Sequence, residues 1–526
     1  MKMNLQGFLS DSRFRQNLVV LLWAILIALI ASFPYIYGFL REDEIFGVYL
    51  GRSAVNSADT YIFLSHIESV KQGEILLPNL YSSDPRDAYF VKPIYIVLGL
   101  VARIFNLNSL LVFHVSRFIL SVLLMFTIWV LLGLILFKFR DKFLALVLVS
   151  TSTGLGALLK DKLPASIDLW VPEANTFFST TEAPHFIWSQ IGILILMITL
   201  LKFHSTQKVI LLVIGSVVSA LVVLEHPYLI PFLLLFPTLF LIISSDNMRA
   251  FLINCTAVVA LPFFVSLLLY ISYQNSSGLS LYSKQVILLT PPVINLISGY
   301  GLLIPLAIYG IVKGKTSDSS KYLLIIWASY LLLLINMPLP FQRRLLEGLH
   351  LPIAISASLA LIRWNLKTNF VKLLLIGILG FLSITNVYQI KYAIDDIASD
   401  TSDSYSHHIY KEDSEGLLWI RDNSQPQDLI LANFYYSNII PGITGRYVYN
   451  GHLFNTIDSR NKSILFDNFM GNFESEKRSK FLYANRINYI FLGKNDPYRE
   501  FEDSLASEEF LEVIWGKNGV TLFKVL

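Results

Sequence analysis

The stretch REDEIFGVYLGRSAVNSADTYIFLSHIESVKQGEILLPNLYSSDPRDAYFVKPIYIVLGLVARIFNLN (residues 41–108) decides the fold that the sequence predicts. It lies between two long apolar segments, and it is too long to be a turn. Its acidic residues are Glu42, Asp43, Glu44, Asp59, Glu68, Glu74, Asp84 and Asp87. The apolar segments that follow contain few charges. We therefore predict that this stretch is the first external loop of a membrane protein and that its acids carry function.

The composition supports a membrane protein. Of the 526 residues, 54% are hydrophobic and only 15% are charged, whereas a soluble protein has about 25% charged residues. Several apolar runs approach or exceed the roughly 20 residues that a helix needs to cross a bilayer. The net charge of +3 is too small to indicate a nucleic-acid partner. The single cysteine, Cys255, excludes an internal disulfide framework.

Basic residues orient the predicted spans, because they stay mostly on the cytoplasmic side. Three basic segments, KFRDK (138–142), KGKTSDSSK (313–321) and RWNLKTNFVK (363–372), all fall inside if the chain crosses about eleven times. This register puts the N-terminus in the cytoplasm, the C-terminus outside and loop one at residues 39–108. The apolar run 93–105 is too short to cross, so we predict that it lies in the outer interface of the plasma membrane.

The composition changes near Asp395, where a more polar segment begins. The segments DLILANF (428–434) and INYIFLG (487–493) predict short buried strands. The segment LEVIWGKNGVTLFKV (511–525) predicts a strand pair around a Lys-Asn-Gly turn. We therefore predict a polytopic helical domain, residues 1–394, followed by a small extracytoplasmic α/β domain, residues 395–526.

The acids of loop one are the first candidates for chemistry. A carboxylate at the boundary between water and lipid can act as a general base or hold a divalent metal. Asp59 precedes Tyr61 and an amphipathic stretch, and Asp43 is its rival. The alternative for Asp59 is a solvated charge or the cap of a helix that begins at Thr60. A second external loop supplies Glu173 and His185, whose alternative is an interfacial hairpin without a catalytic role.

Basic residues on the outer side are the second group of candidates. Arg343 and Arg344 violate the orientation rule, and paired guanidiniums suit a phosphate or pyrophosphate headgroup. The alternatives are a lipid anchor and a salt bridge to Glu347. Arg117 lies about two turns into the second span, where an ionisable group is usually functional, and an acid of an external loop is its expected partner. His226, in EHPY (225–228), lies at the outer end of another span.

These features resemble the GT-C membrane glycosyltransferases, especially the relatives of protein O-mannosyltransferases and lipid A aminoarabinose transferases. The resemblance rests on ADTYIFLSHIESVKQGEILLPNLY (58–81), VKPIYIVLGLVARIFNLNSLLVFHVSRF (91–118), FQRRLLEGLHLP (341–352) and, more weakly, TGRYVYNGH (444–452). It implies a polyprenyl-phosphate sugar as the donor and transfer outside the cytoplasm to a glycan, lipid or protein. The family's loop-one acid falls on Asp59, with Asp43 near the position of another family acid pair.

The resemblance implies an inverting transfer of a hexose. Asp59 would deprotonate the acceptor hydroxyl, or help to hold a metal that does so, and Arg343 and Arg344 would stabilise the departing lipid phosphate. Further residues expected to bind substrate are Tyr61, Arg117, Glu173, His185 and His226. Two other classes remain open. A polymerase or ligase of lipid-linked polysaccharide shares the spans and outer arginines, and a transporter shares the spans but places its polar groups at mid-membrane.

Overall fold

The computed structural model describes residues 12–42, 47–83, 86–276, 278, 281, 286–364, 368–399 and 407–526. By contacts between Cα atoms the chain divides into two compact units. The first contains residues 1–33, 114–270 and 287–392, and the second contains residues 34–113, 271–286 and 393–526. The second unit thus includes loop one together with the C-terminal segment.

Helices make up most of the described chain before residue 400. In order they are α1 (Ser12–Leu40), α2 (Ser57–Gln72), α3 (Pro93–Ile104), α4 (Ser109–Ile135), α5 (Phe139–Thr151), α6 (Gly156–Leu159), α7 (Ile167–Trp170), α8 (Thr176–Glu182), α9 (Pro184–Thr206), α10 (Ile210–Glu225), α11 (Ile230–Ile242), α12 (Met248–Gln274), α13 (Val293–Tyr300), α14 (Leu303–Lys313), α15 (Asp318–Leu334), α16 (His350–Leu361), α17 (Asn369–Leu382) and α18 (Ile384–Ser399). Short 3-10 turns cover Pro172–Ala174, Pro227–Leu229 and Gln342–Leu346. The prediction of a mainly helical membrane protein is confirmed.

Within the described residues, six helices are long and apolar enough to cross a membrane. Two bent pairs of helices raise this number to at most eight, and three further apolar helices are shorter. The count of eleven crossings therefore stays a prediction. The helix at 93–105 forms as Pro93–Ile104, and its twelve residues extend about 18 Å, well short of the roughly 30 Å apolar layer of a bilayer.

Two of the predicted spans are broken rather than straight. Helices α13 and α14 meet at an angle of 71°, and α17 and α18 meet at 46°. The first break falls at Gly301, whose φ of +48° is left-handed and is accessible to glycine at little cost. Hydropathy measures composition and not direction, so these bends were not predicted.

The helices of the first unit differ in how much of their surface faces other protein atoms. In α16, all residues from His350 to Leu361 are buried, and α9 is also largely buried. In α12, by contrast, only Asn254, Val258 and Pro262 are buried. A helix that is apolar on every side and yet exposed is typical of a helix that faces lipid.

The second unit contains a five-stranded mixed sheet. Its elements after residue 400 are β4 (His408–Tyr410), α19 (Lys411–Asn423), β5 (Leu429–Leu431), α20 (Phe434–Thr444), β6 (Tyr447–Val448), α21 (Ser459–Gly471), α22 (Ser475–Ala484), β7 (Tyr489–Leu492), α23 (Glu502–Ala506), β8 (Leu511–Lys517) and β9 (Val520–Val525). The strand order is β6-β5-β7-β9-β8, with β5 parallel to β6 and β7, and β9 antiparallel to both β7 and β8. The three predicted strand segments are therefore confirmed.

Loop one contributes its own short strands to the second unit. They are β1 (Gly47–Tyr49), β2 (Leu77–Pro78) and β3 (Ala88–Tyr89). Strand β1 pairs with β4 in antiparallel register, and β2 pairs with β3. Helix α2 packs closely on α3, because a Cβ atom at Gly99 would lie 2.4 Å from Val70 Cβ. It packs as closely on α20, where a Cβ atom at Gly442 would lie 2.6 Å from the Tyr61 ring.

Candidate active site

The candidate residues form two main groups, one in each compact unit. The loop-one group consists of Arg52, Asp59, Tyr61 and His452, in the second unit. The arginine group consists of Glu173, His226, Tyr228, Arg343, Arg344 and Glu347, in the first unit.

Asp59 lies in the first turn of helix α2. The helix begins at Ser57 and not at Thr60, and Asn56 occupies the capping position, so the alternative that Asp59 caps a helix beginning at Thr60 is wrong. A carboxylate in the first turn is stabilised by the positive end of the helix dipole. The Asp59 side chain is 41% exposed, and its Oδ1 atom lies 3.2 Å from Nε2 of His452. The acid is therefore held by a neighbour and still reachable from solvent.

His452 is buried, and its other ring nitrogen is also engaged. Its Nδ1 atom accepts hydrogen bonds from the backbone N–H groups of Phe454, at 3.2 Å, and Asn455, at 3.1 Å. A nitrogen that accepts two hydrogen bonds carries no proton, so the neutral ring has its proton on Nε2. The ring therefore donates from Nε2 to the Asp59 carboxylate.

Tyr61 and Arg52 lie deeper in the loop-one group. The Tyr61 hydroxyl donates to the Leu50 carbonyl at 3.1 Å, and burial raises the pKa of Tyr61. The Arg52 guanidinium lies 5.1 Å from the centre of the Tyr61 ring and 5.3 Å from that of Tyr435. Its Nη2 atom donates to Oδ1 of Asn438 at 2.5 Å. Arg52 thus brings a buried positive charge into this group, and the role predicted for Tyr61 in binding substrate stays a prediction.

Asp43, the rival to Asp59, lies outside the described residues, as does Glu44. Among the residues that the structure does describe, no group of three or more His, Cys, Asp or Glu side chains could hold a metal ion. The described side chains around Asp59 therefore do not make up a metal site, and the divalent metal stays a prediction from sequence.

Arg343 is the centre of the arginine group. Its Nε atom lies 3.7 Å from Oε1 of Glu173, and its Cζ atom lies 4.7 Å from the centre of the Trp170 ring. The Arg343 side chain is 20% exposed, whereas that of Glu173 is 2% exposed. The pair therefore combines a buried carboxylate with a guanidinium that still reaches the surface. The planar fork of such a guanidinium suits phosphate oxygens.

Arg344 points at an aromatic ring that belongs to a buried network. Its Cζ atom lies 5.5 Å from the centre of the Tyr228 ring. The Tyr228 hydroxyl donates to Oε2 of Glu347 at 2.7 Å. Nδ1 of His226 lies 2.8 Å and 3.0 Å from the two carboxylate oxygens of Glu347. Glu347, which the sequence suggested as a partner of the arginines, is thus held by His226 and Tyr228.

Two more predicted residues are buried in the first unit. The His185 ring lies 5.1 Å from that of His226, edge to face, at the beginning of α9. Arg117 is also buried. Its Nη1 atom donates to the carbonyl of Thr181 at 2.6 Å and reaches that of Ala31 at 3.4 Å. The carbonyl partners explain how a guanidinium is accommodated inside a span, and the predicted acidic partner stays a prediction.

No local pattern in the sequence indicates a role for His452, Arg52 or Tyr228. The segment TGRYVYNGH (444–452), which ends at His452, resembles external domains of the GT-C proteins only weakly. A histidine directly after a glycine, in a segment rich in turn residues, was the one signal available for it. Arg52 and Tyr228 were not recognised because their partners are distant in sequence.

Comparison with known proteins gives results at the level of structure. No protein-family model matches the chain, and no curated protein matches it. The oligosaccharyltransferase AglB from Archaeoglobus fulgidus, solved with an inhibitory peptide and a dolichol-phosphate, matches with a TM-score of 0.53 at 12% identity, over 90% of this chain and 69% of that one. ArnT from Cupriavidus metallidurans, bound to undecaprenyl phosphate, matches with a TM-score of 0.52 at 10% identity, over 95% and 97%.

A third match is the arabinofuranosyltransferase AftD from Mycobacteria, with a TM-score of 0.51 at 9% identity, over 95% of this chain and 41% of that one. All three neighbours are GT-C glycosyltransferases. At these identities the likeness shows the fold, and it confirms the fold that the sequence predicted. The chain therefore has the fold of the GT-C membrane glycosyltransferases.

Proposed function

We propose that the protein is a glycosyltransferase that moves a sugar from a polyprenyl-phosphate donor to an acceptor hydroxyl on the extracytoplasmic face of the plasma membrane. The observation that carries the proposal is Asp59, a half-exposed carboxylate in the first turn of a loop-one helix and in contact with His452. Support comes from the fold, since ArnT was solved with undecaprenyl phosphate and AglB with a dolichol-phosphate.

In the proposed reaction Asp59 accepts the proton of the acceptor hydroxyl. The acceptor oxygen forms a bond to the anomeric carbon while the bond from that carbon to the phosphate oxygen breaks. The phosphate leaves with the bonding electrons, so negative charge grows on it and the anomeric configuration inverts. Arg343 and Arg344 are proposed to stabilise that charge, because guanidinium groups bind phosphate oxygens with two parallel hydrogen bonds.

The finer features of the predicted protein are part of the same proposal. The chain is proposed to cross the membrane about eleven times, with its N-terminus in the cytoplasm. The donor is proposed to carry a hexose, and the acceptor is a glycan, a lipid or a protein. Residues 395–526 are proposed as an extracytoplasmic domain that helps to choose the acceptor, and Glu173 and His185 are proposed to bind it.

The test uses the purified full chain in detergent with polyprenyl-phosphate hexose that carries label in the lipid. An extract of cell-envelope glycans, lipids and proteins supplies the acceptor, and release of free polyprenyl phosphate is measured. We expect the wild type to release it and Asp59→Asn to lose release by at least about 100-fold, the usual contribution of a general base. The control is Glu476→Gln, which removes a carboxylate that is 80% exposed.

Donor binding is measured in parallel with labelled polyprenyl phosphate, because the base is not proposed to bind the lipid. Asp59→Asn should bind it as the wild type does. Full release of lipid phosphate by Asp59→Asn would contradict the assignment of the base. If the wild type consumed only donors that carry a preassembled glycan, a polymerase or ligase would be the correct class instead. Transport of donor across a vesicle membrane without release of lipid phosphate would favour a transporter.

A further inference from the structure

We propose that His452 is a positioning residue for the base, which fixes the direction of the Asp59 carboxylate by donating a hydrogen bond from Nε2. This inference rests on the proposed function, and it assigns a role to a residue that the sequence did not single out. The chain of contacts behind it lies entirely within the second compact unit.

The first step is the fixed tautomer of His452. Two backbone amides, of Phe454 and Asn455, donate to Nδ1 and leave the proton of the neutral ring on Nε2. The ring cannot exchange these roles without breaking both amide contacts. It therefore presents a permanent N–H donor, 3.2 Å from Oδ1 of Asp59.

The second step is the rigidity of the segment that carries His452. The Thr456 side-chain oxygen accepts hydrogen bonds from the backbone N–H groups of Gly451 and His452, each at 3.1 Å. The same hydroxyl donates to the carbonyl of Tyr81 at 2.5 Å. A Cβ atom at Gly451 would lie 2.3 Å from the Ser437 carbonyl oxygen, so the backbone is pressed against α20 at a point that only glycine permits. A donor mounted on this segment has a defined position.

A general base must be held in one orientation relative to the proton that it removes. A carboxylate that is 41% exposed can rotate about two side-chain torsions unless a partner holds it. A hydrogen bond from His452 to Oδ1 sets the plane of the carboxylate, and thereby the direction in which its second oxygen faces. A general base must lie within hydrogen-bond distance of the proton that it removes, and a displacement of about 1 Å can cost roughly 100-fold in rate.

The alternative is that His452 only stabilises its own loop through Nδ1. Two substitutions separate the two roles, because each replaces only one of the two hydrogen-bonding nitrogens of the imidazole with an equivalent group. In His452→Asn the amide oxygen takes the place of Nδ1 and keeps the loop contacts, but the donor from residue 452 to Asp59 is lost. In His452→Gln the amide nitrogen takes the place of Nε2 and keeps the donor. The control is His204→Asn, a histidine at the end of α9 that bonds the Ser244 hydroxyl.

The rate of lipid-phosphate release is the first readout. We expect His452→Asn to lower kcat about 100-fold with little change in the KM for donor, and His452→Gln to stay within about tenfold of the wild type. His204→Asn should match the wild type. A higher kcat for His452→Asn than for His452→Gln would show that the loop contacts are what matter, and would overturn the proposal.

A second readout does not depend on activity. Thermal unfolding midpoints are measured for the wild type, Asp59→Ala, His452→Asn and the double variant in detergent. A direct contact predicts that the two single shifts do not add, because either substitution alone already breaks the hydrogen bond. Additive shifts would overturn the contact. If the wild type released no lipid phosphate, the proposed function would fail. The unfolding midpoints of these four proteins would still test the contact between Asp59 and His452.

Discussion

The buried carboxylate of Glu173 allows the structural and functional roles of Arg343 to be separated. In Arg343→Ala this carboxylate, which is 2% exposed, loses the guanidinium 3.7 Å away. An unpaired charge in a buried position is strongly unfavourable. In the double variant Arg343→Ala/Glu173→Gln both charges are gone, so the penalty should largely disappear.

The stability that Arg343→Ala should lose follows from the separation of Arg343 and Glu173 and from the exposure of the Arg343 side chain. Two unit charges at this separation attract by about 4 kcal/mol at the effective dielectric constant near a protein surface. Breaking a fully buried pair costs about 3–5 kcal/mol. The Arg343 side chain is 20% exposed, and solvent screens part of the interaction, so we expect a loss of about 2–3 kcal/mol. For a chain of 526 residues this corresponds to a fall of roughly 2–3 °C in the unfolding midpoint.

The assay measures the unfolding midpoint and the KM for polyprenyl-phosphate sugar of four proteins: the wild type, Arg343→Ala, Glu173→Gln and the double variant. We expect the double variant to recover most of the stability lost by Arg343→Ala. Its KM should stay at least about tenfold above that of the wild type, since one phosphate contact with a guanidinium is worth roughly 1.5–3 kcal/mol. Arg140→Ala removes a surface ion pair with Asp141 and should change neither quantity.

Two results would refute this reasoning. If the double variant were no more stable than Arg343→Ala, the ion pair with Glu173 would not be what stabilises the site. If the double variant recovered both stability and donor KM, Arg343 would act only through folding, and its proposed contact with the leaving phosphate would be wrong.

Three further predictions concern Asp168 and two residues of the C-terminal segment, Asp496 and Gly451. Burial raises the pKa of Asp496 from 3.8 to about 6, so the unfolded chain loses this proton first. The wild type should therefore lose about 2 kcal/mol of stability as the pH rises from 4 to 6. Asp496→Asn, compared with exposed Asp503→Asn, should gain in unfolding midpoint relative to the wild type over that range, and a constant difference would contradict it. Asp168 is buried and accepts a hydrogen bond from the Gly156 N–H at 3.0 Å. Asp168→Ala leaves buried donors unpaired, so it should cost about 2–4 kcal/mol and lower the unfolding midpoint by several degrees. An unfolding midpoint equal to that of the wild type would contradict this prediction. Gly451→Ala should lower both stability and kcat, because its Cβ atom would lie 2.3 Å from a backbone oxygen; wild-type kcat in this variant would show that the backbone yields at this point.

The elements that the sequence predicted well are those specified by local signals. The segments 428–434 and 487–493 contain short uninterrupted apolar runs, and the pair at 511–525 turns at Asn518 and Gly519, both of which have positive φ. The order of the strands was not predictable in the same way, since β5 lies between β6 and β7 only because helices return the chain to both sides of it. Such non-local pairing depends on packing rather than on the pattern within one segment.

The candidate site likewise contains one residue that a local pattern indicates and others that it does not. Asp59 was found because an acid beside an aromatic-bearing amphipathic helix is a local pattern. His452 was not found, because nothing near Asp59 in sequence indicates a partner so far along the chain. Similarly, the break between α13 and α14 falls at Gly301, whose φ is positive, and a hydropathy profile measures neither this conformation nor the bend between α17 and α18.

The second compact unit contains both the proposed base, Asp59, and the segment that is proposed to choose the acceptor. Helix α2, which carries Asp59, packs against α20, and Arg52 of loop one bonds Asn438 on that helix. The contact of Asp59 with His452 joins the same two parts of the chain. The proposed base is therefore positioned by residues beyond 395 as well as by its own loop. Substitutions in residues 434–456 should then change kcat for every acceptor, whereas a segment that only recognised acceptor would change the preference among acceptors and leave the rate with the best one intact.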